Sequence, residues 1–424
     1  MTEIIKIFLV FPVFLIFLLM PLSIFNKNNN QLNLNNLSLN LIINLNILLI
    51  FSFTSIPINS YQVIFLISYA SIFLIKIFKL KSIHTDDKTF FILLIFSFIL
   101  FSIVIISNLD LGWDAKYFYY IKSLFFFEEL NLSDLNNFEH NKWHPHLGSY
   151  IWAFFWKLPF FNIEYYGRLF YLFIFFFSLL YVVFSNLNNN YIKTIFFLII
   201  TIITFNYERF SGLQEILIFS LLLIASHKVF TLNFKTRLID ILTIFLILNL
   251  IIWIKSEGIV YVFILISMLL INKNLNLKER TFIIIGALLI FSLKSLIYLY
   301  LNYNLNAQPY NLNFILTINF ADILFRLKNI IIYSAYYSLK NIFFFLGIVV
   351  LIILNLQKNT KFKIRTFNAY FILNSFFIIF AYLFREMEII YALKTTMERI
   401  IFTSSAVYIH LLILYINSYF KIKE

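Results

Sequence analysis

Apolar runs of about 18 residues or more recur along this chain from end to end, and no other feature constrains its fold as strongly. A run of that length can cross the hydrocarbon core of a bilayer as a helix. Inside lipid the backbone must satisfy its own hydrogen bonds, so the crossings should be helical. Hydropathy places about thirteen spans, near 4–25, 39–57, 60–78, 90–108, 163–184, 193–207, 213–230, 237–254, 257–272, 281–301, 329–353, 368–384 and 400–418. The expected fold class is an all-α polytopic membrane protein. It divides into N-terminal transmembrane helices over 1–108, a first large extracytoplasmic loop with interfacial helices over 109–162, and C-terminal transmembrane helices over 163–424. No separate soluble domain is expected. The run over 1–25 is long and is followed by no small-residue cleavage site, so it reads as a retained membrane helix.

Charge gives the orientation. Of the residues 62% are hydrophobic and only 12% charged, yet the formal net charge is +13. The basic residues gather in short loops: "KIFKLK" with Lys88, "HKVFTLNFKTR", "NKNLNLKER", "QKNTKFKIR" and the terminal "KIKE". Positive loops stay in the cytoplasm. That places 109–162, 207–212, 254–257, 302–328 and 385–399 outside, together with the N-terminus. The positive excess is therefore topogenic, and with no separate basic domain no nucleic-acid partner is expected. Cys is absent, which excludes disulfide and thiol chemistry. The Asn-rich "NKNNNQLNLNNLSLN" (26–40) reads as low complexity without a function.

The polar excursion after 108 opens with "NLDLGWDAKYFYY". An aspartate ahead of a helical run is a good N-cap, so Asp114 is expected to cap a helix carrying Tyr117, Phe118 and Ile121 on one face. Further on, "HLGSYIWAFFWKLPF" is too short to cross and reads as an interfacial helix. Ionisable residues recur at span ends on this same side: Glu208, Arg209 and Glu215; Lys255 and Glu257; Arg385, Glu386, Glu388, Lys394, Glu398 and Arg399. Singly, such residues are snorkelling or topogenic charges; their gathering on one face points to a site. The tract "HNKWHPH" holds His140, His144 and His146. Pro145 stiffens it, so no metal ligands are assigned, and His144 and His146 read as acceptor or headgroup contacts. His84, His227 and His410 read as structural.

The order of these elements resembles the membrane-embedded GT-C glycosyltransferases, among them the aminoarabinose transferases and protein O-mannosyltransferases. "GWDAKYFYY" is similar to their first-loop Asp-Glu-x-x-Tyr or Trp-Asp-x-x-x-Tyr-His, with Ala115 in place of the Glu and no His following. "HPHLGSYIWAFFW" resembles the Pro-Pro-Leu segment before an interfacial helix, with His146 in place of the second Pro. "YYGRLFYLF" (165–173) is a tighter form of their Gly-x-x-x-x-Arg-Leu. "WIKSEGIV" resembles Lys-Asn-Glu-Gly, and "TTMERIIFTSS" resembles the Ser-x-Asp-Arg-Leu-Leu entry to the last span. The resemblance covers most of 108–415.

What the resemblance implies is transfer of a sugar from a polyprenyl-phosphate donor to a hydroxyl of a lipid, glycan or protein acceptor, outside the cytoplasm and in a bacterial inner (plasma) membrane. A phosphate leaving group needs cations rather than a general acid, while the acceptor hydroxyl needs a base. Asp114 is the expected base, with Asp110 supporting it or taking its place. Arg209, Lys255 and Arg399 are expected around the lipid phosphate; Glu215 and Glu257 are expected to position sugar hydroxyls or to pair with those cations; Tyr117, Lys394, His144 and His146 are expected to contact substrate. Some members use a divalent cation, Mg or Mn, beside the loop aspartate. No cofactor motif is visible, and no Gly-rich phosphate loop invites a nucleotide sugar. Two rivals remain: an O-antigen-type polymerase or ligase, which relies on basic residues in a late loop, and a transporter or lipid flippase, which needs internal repeats and broken helices.

Overall fold

The structure, a computed structural model, describes residues 2–22, 32–54, 56–77, 85–130, 132–137, 144–159, 161–232, 237–272, 275–301, 318–357 and 364–421. It is helical almost throughout. In order come α1 (Thr2–Leu19), α2 (Leu34–Ser52), α3 (Ile58–Ile77), α4 (Thr85–Ser107), α5 (Tyr120–Phe127), α6 (Leu147–Trp156), α7 (Tyr165–Asn186) and α8 (Asn190–Thr204). Then follow α9 (Glu215–Thr231), α10 (Arg237–Ile254), α11 (Gly258–Ile271), α12 (Leu277–Tyr300), α13 (Phe320–Lys340), α14 (Ile342–Leu356), α15 (Ile364–Leu383) and α16 (Ile389–Lys421). The sheet among the described residues is one antiparallel pair, Lys157–Leu158 with Phe161–Asn162.

Twelve of the expected spans each fall largely on one helix and 329–353 falls on two, but helix and crossing are different things. Among the described residues six helices are long and apolar enough to cross a bilayer, or seven if one bent pair counts as a span. The six lie on α2, α4, α7, α12, α15 and α16. The chain is thus a multi-pass, all-α integral membrane protein. The bent pair corrects the expected 329–353 span: α13 and α14 meet at 99°. Asn341 makes the break, because its side-chain oxygen accepts from the Phe344 N–H and starts a new helix.

The chain forms two compact units, Met1–Ile224 with Leu246–Ser256, and Ala225–Phe245 with Glu257–Glu424. In the first, buried α7 is the spine; its Phe170 stacks on Phe155, and Phe14 and Phe17 pack edge-on against these rings. Asn40, at the end of the Asn-rich segment, and Asn44 just beyond it join α2 to α1 there. Asn44 donates to the carbonyls of Phe17 (2.6 Å) and Met20 (2.9 Å), and Asn40 donates to Leu18, so α2 satisfies the carbonyls that end α1. In the second unit α16 packs against α13, α14 and α15. A buried polar chain links its helices: the Ser404 hydroxyl donates to Asn374, and Tyr370 donates to the Ser404 carbonyl. Lys228 and Asp240 form a buried ion pair at 3.1 Å.

Candidate functional site

The loop after α4 is built into the first unit rather than hung from it. The Gly112 N–H donates to the Ser211 carbonyl at 3.0 Å, tying the aspartate strand to the turn before α9. Gly212 in that turn has φ +92°, and a Cβ there would stand 2.5 Å from the Trp152 ring. Only glycine satisfies both conditions. Ala115 is fully buried and its Cβ would lie 2.9 Å from that same Cβ. A glutamate at 115 would be driven into this contact, which explains the alanine.

Asp114 does not cap the helix as expected. Trp113 and Asp114 are already helical, the Asp114 carboxylate makes no capping bond, and the Gly112 carbonyl accepts the first bond, from Lys116. Residues Ala115–Tyr119 form a single π-helical turn, the kind of irregularity that recurs at functional sites. The wider turn buries Ala115, Tyr119 and Lys122 and leaves Trp113 and Tyr117 exposed. Asp114 is half-buried and Asp110 exposed. Both aspartates therefore stand at the surface of a rigid platform.

The platform's second layer is α6. It forms as expected, and Leu147 to Phe155 are all enclosed between α2, α5 and α7. Gly167 allows this, since a Cβ there would come within 2.7 Å of the Trp152 backbone. The Trp152 indole N–H donates to the Glu164 carbonyl. The Glu164 side chain in turn binds Arg168 at 2.9 Å, one turn into α7. Burial raises the Glu164 carboxyl above its ordinary value, even though the Arg168 charge pulls it down. The Arg168 side chain is 0% exposed. Beside it stands Tyr207, whose hydroxyl is bonded to the carbonyls of Asn108 (2.6 Å) and Asp110 (2.7 Å). Burial raises that hydroxyl's titration, the Arg168 charge lowers it, and the Asp110 charge raises it. A continuous polar path thus runs from Trp152 through Glu164, Arg168 and Tyr207 to the Asp110 strand.

The remaining expected residues fall into other places. Glu215 and Lys255 pair with each other at 2.8 Å, Glu215 at the first turn of α9, where the helix dipole favours it. Arg209 donates to the Thr204 carbonyl at 2.5 Å, so it caps the end of α8. His146 is buried: its ring bonds Ser52 at 2.8 Å and packs on Phe53, Phe126 and Trp253, so it is a core histidine rather than a headgroup contact. His144 is half-buried beside Phe118, and its carbonyl accepts from Lys122 at 2.6 Å. Glu257, Lys394 and Arg399 belong to the second unit. Glu257 and Arg399 are half-buried and Lys394 exposed; the Lys394 carbonyl accepts from Tyr337 and the Arg399 carbonyl from Thr403. His84, His140 and the "QPYNLN" stretch lie outside the described residues. Among the described residues no three His, Asp or Glu side chains converge as a metal site. Arg168 and Glu164 were not among the expected site residues, although "YYGRLFYLF" displayed the arginine at the mouth of a span.

No family model, curated protein or solved structure matches this chain.

Proposed function

We propose that the chain is a membrane glycosyltransferase of the GT-C kind, moving a sugar from a polyprenyl-phosphate donor to an acceptor hydroxyl at the extracytoplasmic face. The observation that carries this reading is the Asp110 segment held by Tyr207, with the buried Arg168 and its half-buried partner Glu164 on the other side of that tyrosine. It supports the two groups the reaction needs: a carboxylate open to a polar acceptor, and a guanidinium across Tyr207 from it. In the reaction the acceptor oxygen attacks the anomeric carbon while the bond to the phosphate oxygen breaks. The phosphate leaves with the bonding pair, and the aspartate takes the acceptor's proton. Asp110 or Asp114 is that base, and cationic side chains stabilise the phosphate as charge develops. Thirteen crossings with an outside N-terminus, in a bacterial inner membrane, complete the proposed topology, the bent α13–α14 pair counting as one broken crossing. The donor set for a divalent cation is not assembled among the described residues.

The test is transfer from a radiolabelled polyprenyl-phosphate sugar by the purified protein in proteoliposomes. Wild type should consume the donor. Asp110→Asn or Asp114→Asn should lower the rate by at least about 100-fold, the scale of a lost general base. A second reading, transport, draws on the broken α13–α14 pair and the buried Lys228–Asp240 pair, features that transporters use. Counterflow uptake of a solute in the absence of lipid-linked sugar would favour it.

A further inference from the structure

Arg168 is a cation beside the aspartate strand whose hydrogen-bonding capacity is largely unspent. One of its terminal nitrogens binds Glu164, and the guanidinium also bears on the Tyr207 hydroxyl, while Nε and Nη1 have no acceptor in good hydrogen-bond geometry among the described residues. The Oε1 atom of Glu164 is buried, with the Trp152 indole beside it, and likewise has no donor in good geometry there. A guanidinium offers five N–H donors in a planar fork that matches a tetrahedral oxyanion two bonds at a time. Enclosing such a group with donors unused is costly, so its retention asks for a compensating role. The other cations considered in this unit are engaged: Arg209 by the Thr204 carbonyl and Lys255 by Glu215. The neighbour of Arg168 toward the aspartate strand is Tyr207, which is half-exposed.

We infer that Arg168 anchors a phosphate group, through its Nε–Nη1 edge, at the membrane face beside the Asp110 strand. A lipid phosphate headgroup and free phosphate share this chemistry. The inference rests on the proposed function for the lipid-linked source, and on the geometry alone for the phosphate. Because the guanidinium is closed to solvent, Tyr207 must move aside for the phosphate to reach it. Tyr207 also holds the Asp110 carbonyl, so docking of the phosphate shifts the strand that carries a candidate base.

The experiment uses the full-length protein in nanodiscs of neutral lipid. Binding of polyprenyl monophosphate, of the same polyprenol without phosphate, and of inorganic phosphate is measured for wild type, Arg168→Gln, Arg168→Lys and Glu164→Gln. Arg168→Gln should weaken the phosphorylated lipid by about tenfold or more, with Arg168→Lys in between, since a charge-assisted fork is lost or reduced to a point charge. Polyprenol binding should not change. Displacement of the lipid by inorganic phosphate assigns the site to both sources; no displacement assigns it to the lipid headgroup. Glu164→Gln frees the guanidinium and should tighten binding. That variant decides the matter if Arg168→Gln does not fold, and binding left equal or weaker by it overturns the inference. So does a folded Arg168→Gln that binds like wild type. Arg168-dependent binding by a wild type that transfers no sugar would keep the inference and remove the proposed function; transfer that ignores Arg168 would do the reverse.

Discussion

Helices α7 and α12 have nearly the same length and mean hydropathy, yet 89% of the apolar window is buried in one and 28% in the other. Their sequences differ in what lies between the apolar residues. α7 carries Gly167, Arg168 and the ring series Tyr171, Phe175 and Phe177, and each is enclosed by protein. α12 turns Leu288, Leu289, Leu293 and Leu296 outward, a face suited to lipid. Hydropathy reports that a segment tolerates an apolar medium; it does not say whether the medium is lipid or other side chains. Arg168 sits on α7, which is packed on nearly every side, whereas α12 buries one basic residue, Lys294, on its protein-facing side.

The sharpest way to break this contrast is to crowd the enclosed side. Gly212→Val adds atoms against Trp152 at a left-handed position, and should cost about 3 kcal/mol or more from strain and overpacking together. Thermal unfolding of the detergent-solubilised protein checks it. Next comes Asn44→Leu, which removes the bonds to the Phe17 and Met20 carbonyls and the acceptor of the Tyr69 hydroxyl inside the first unit. A loss of about 1–3 kcal/mol is expected, read the same way. A pH-dependent effect belongs to Lys122. Burial pushes this amine down to about 7 from its ordinary 10.5. The unfolded chain then holds the proton more tightly than the folded one, so the burden on stability is full below that lower value and is relieved as pH rises toward the higher one. Lys122→Met should therefore raise the melting temperature more at about pH 6 than at about pH 9, and an equal change at both would contradict the burial argument. Last, Leu288→Ala on the outward face of α12 should change stability by no more than about 0.5 kcal/mol.

Much of the fold was legible because apolar length and loop charge are local signals. The break at Asn341 escaped because "KNIFFFLG" continues an apolar run, and one capping amide does not lower it. The site was legible in outline only. Asp110 and Asp114 stood out as acids beside a greasy run, and Glu215 and Lys255 as ions at span ends. That those two ions pair depends on chain contacts across a gap of 40 residues. His146 read as a surface contact because its partner Ser52 is 94 positions away. Asp114 read as a cap because nothing in the sequence shows that the helix begins at Gly112. Arg168 was visible at the mouth of α7, but its role depends on Tyr207, which only the folded chain brings beside it.

The most direct measurement is donor turnover by Asp110→Asn, Asp114→Asn and the double variant, each in proteoliposomes and each checked for wild-type melting. One single variant and the double variant should fall to background while phosphorylated-lipid binding persists. Wild-type turnover in all three would contradict the account.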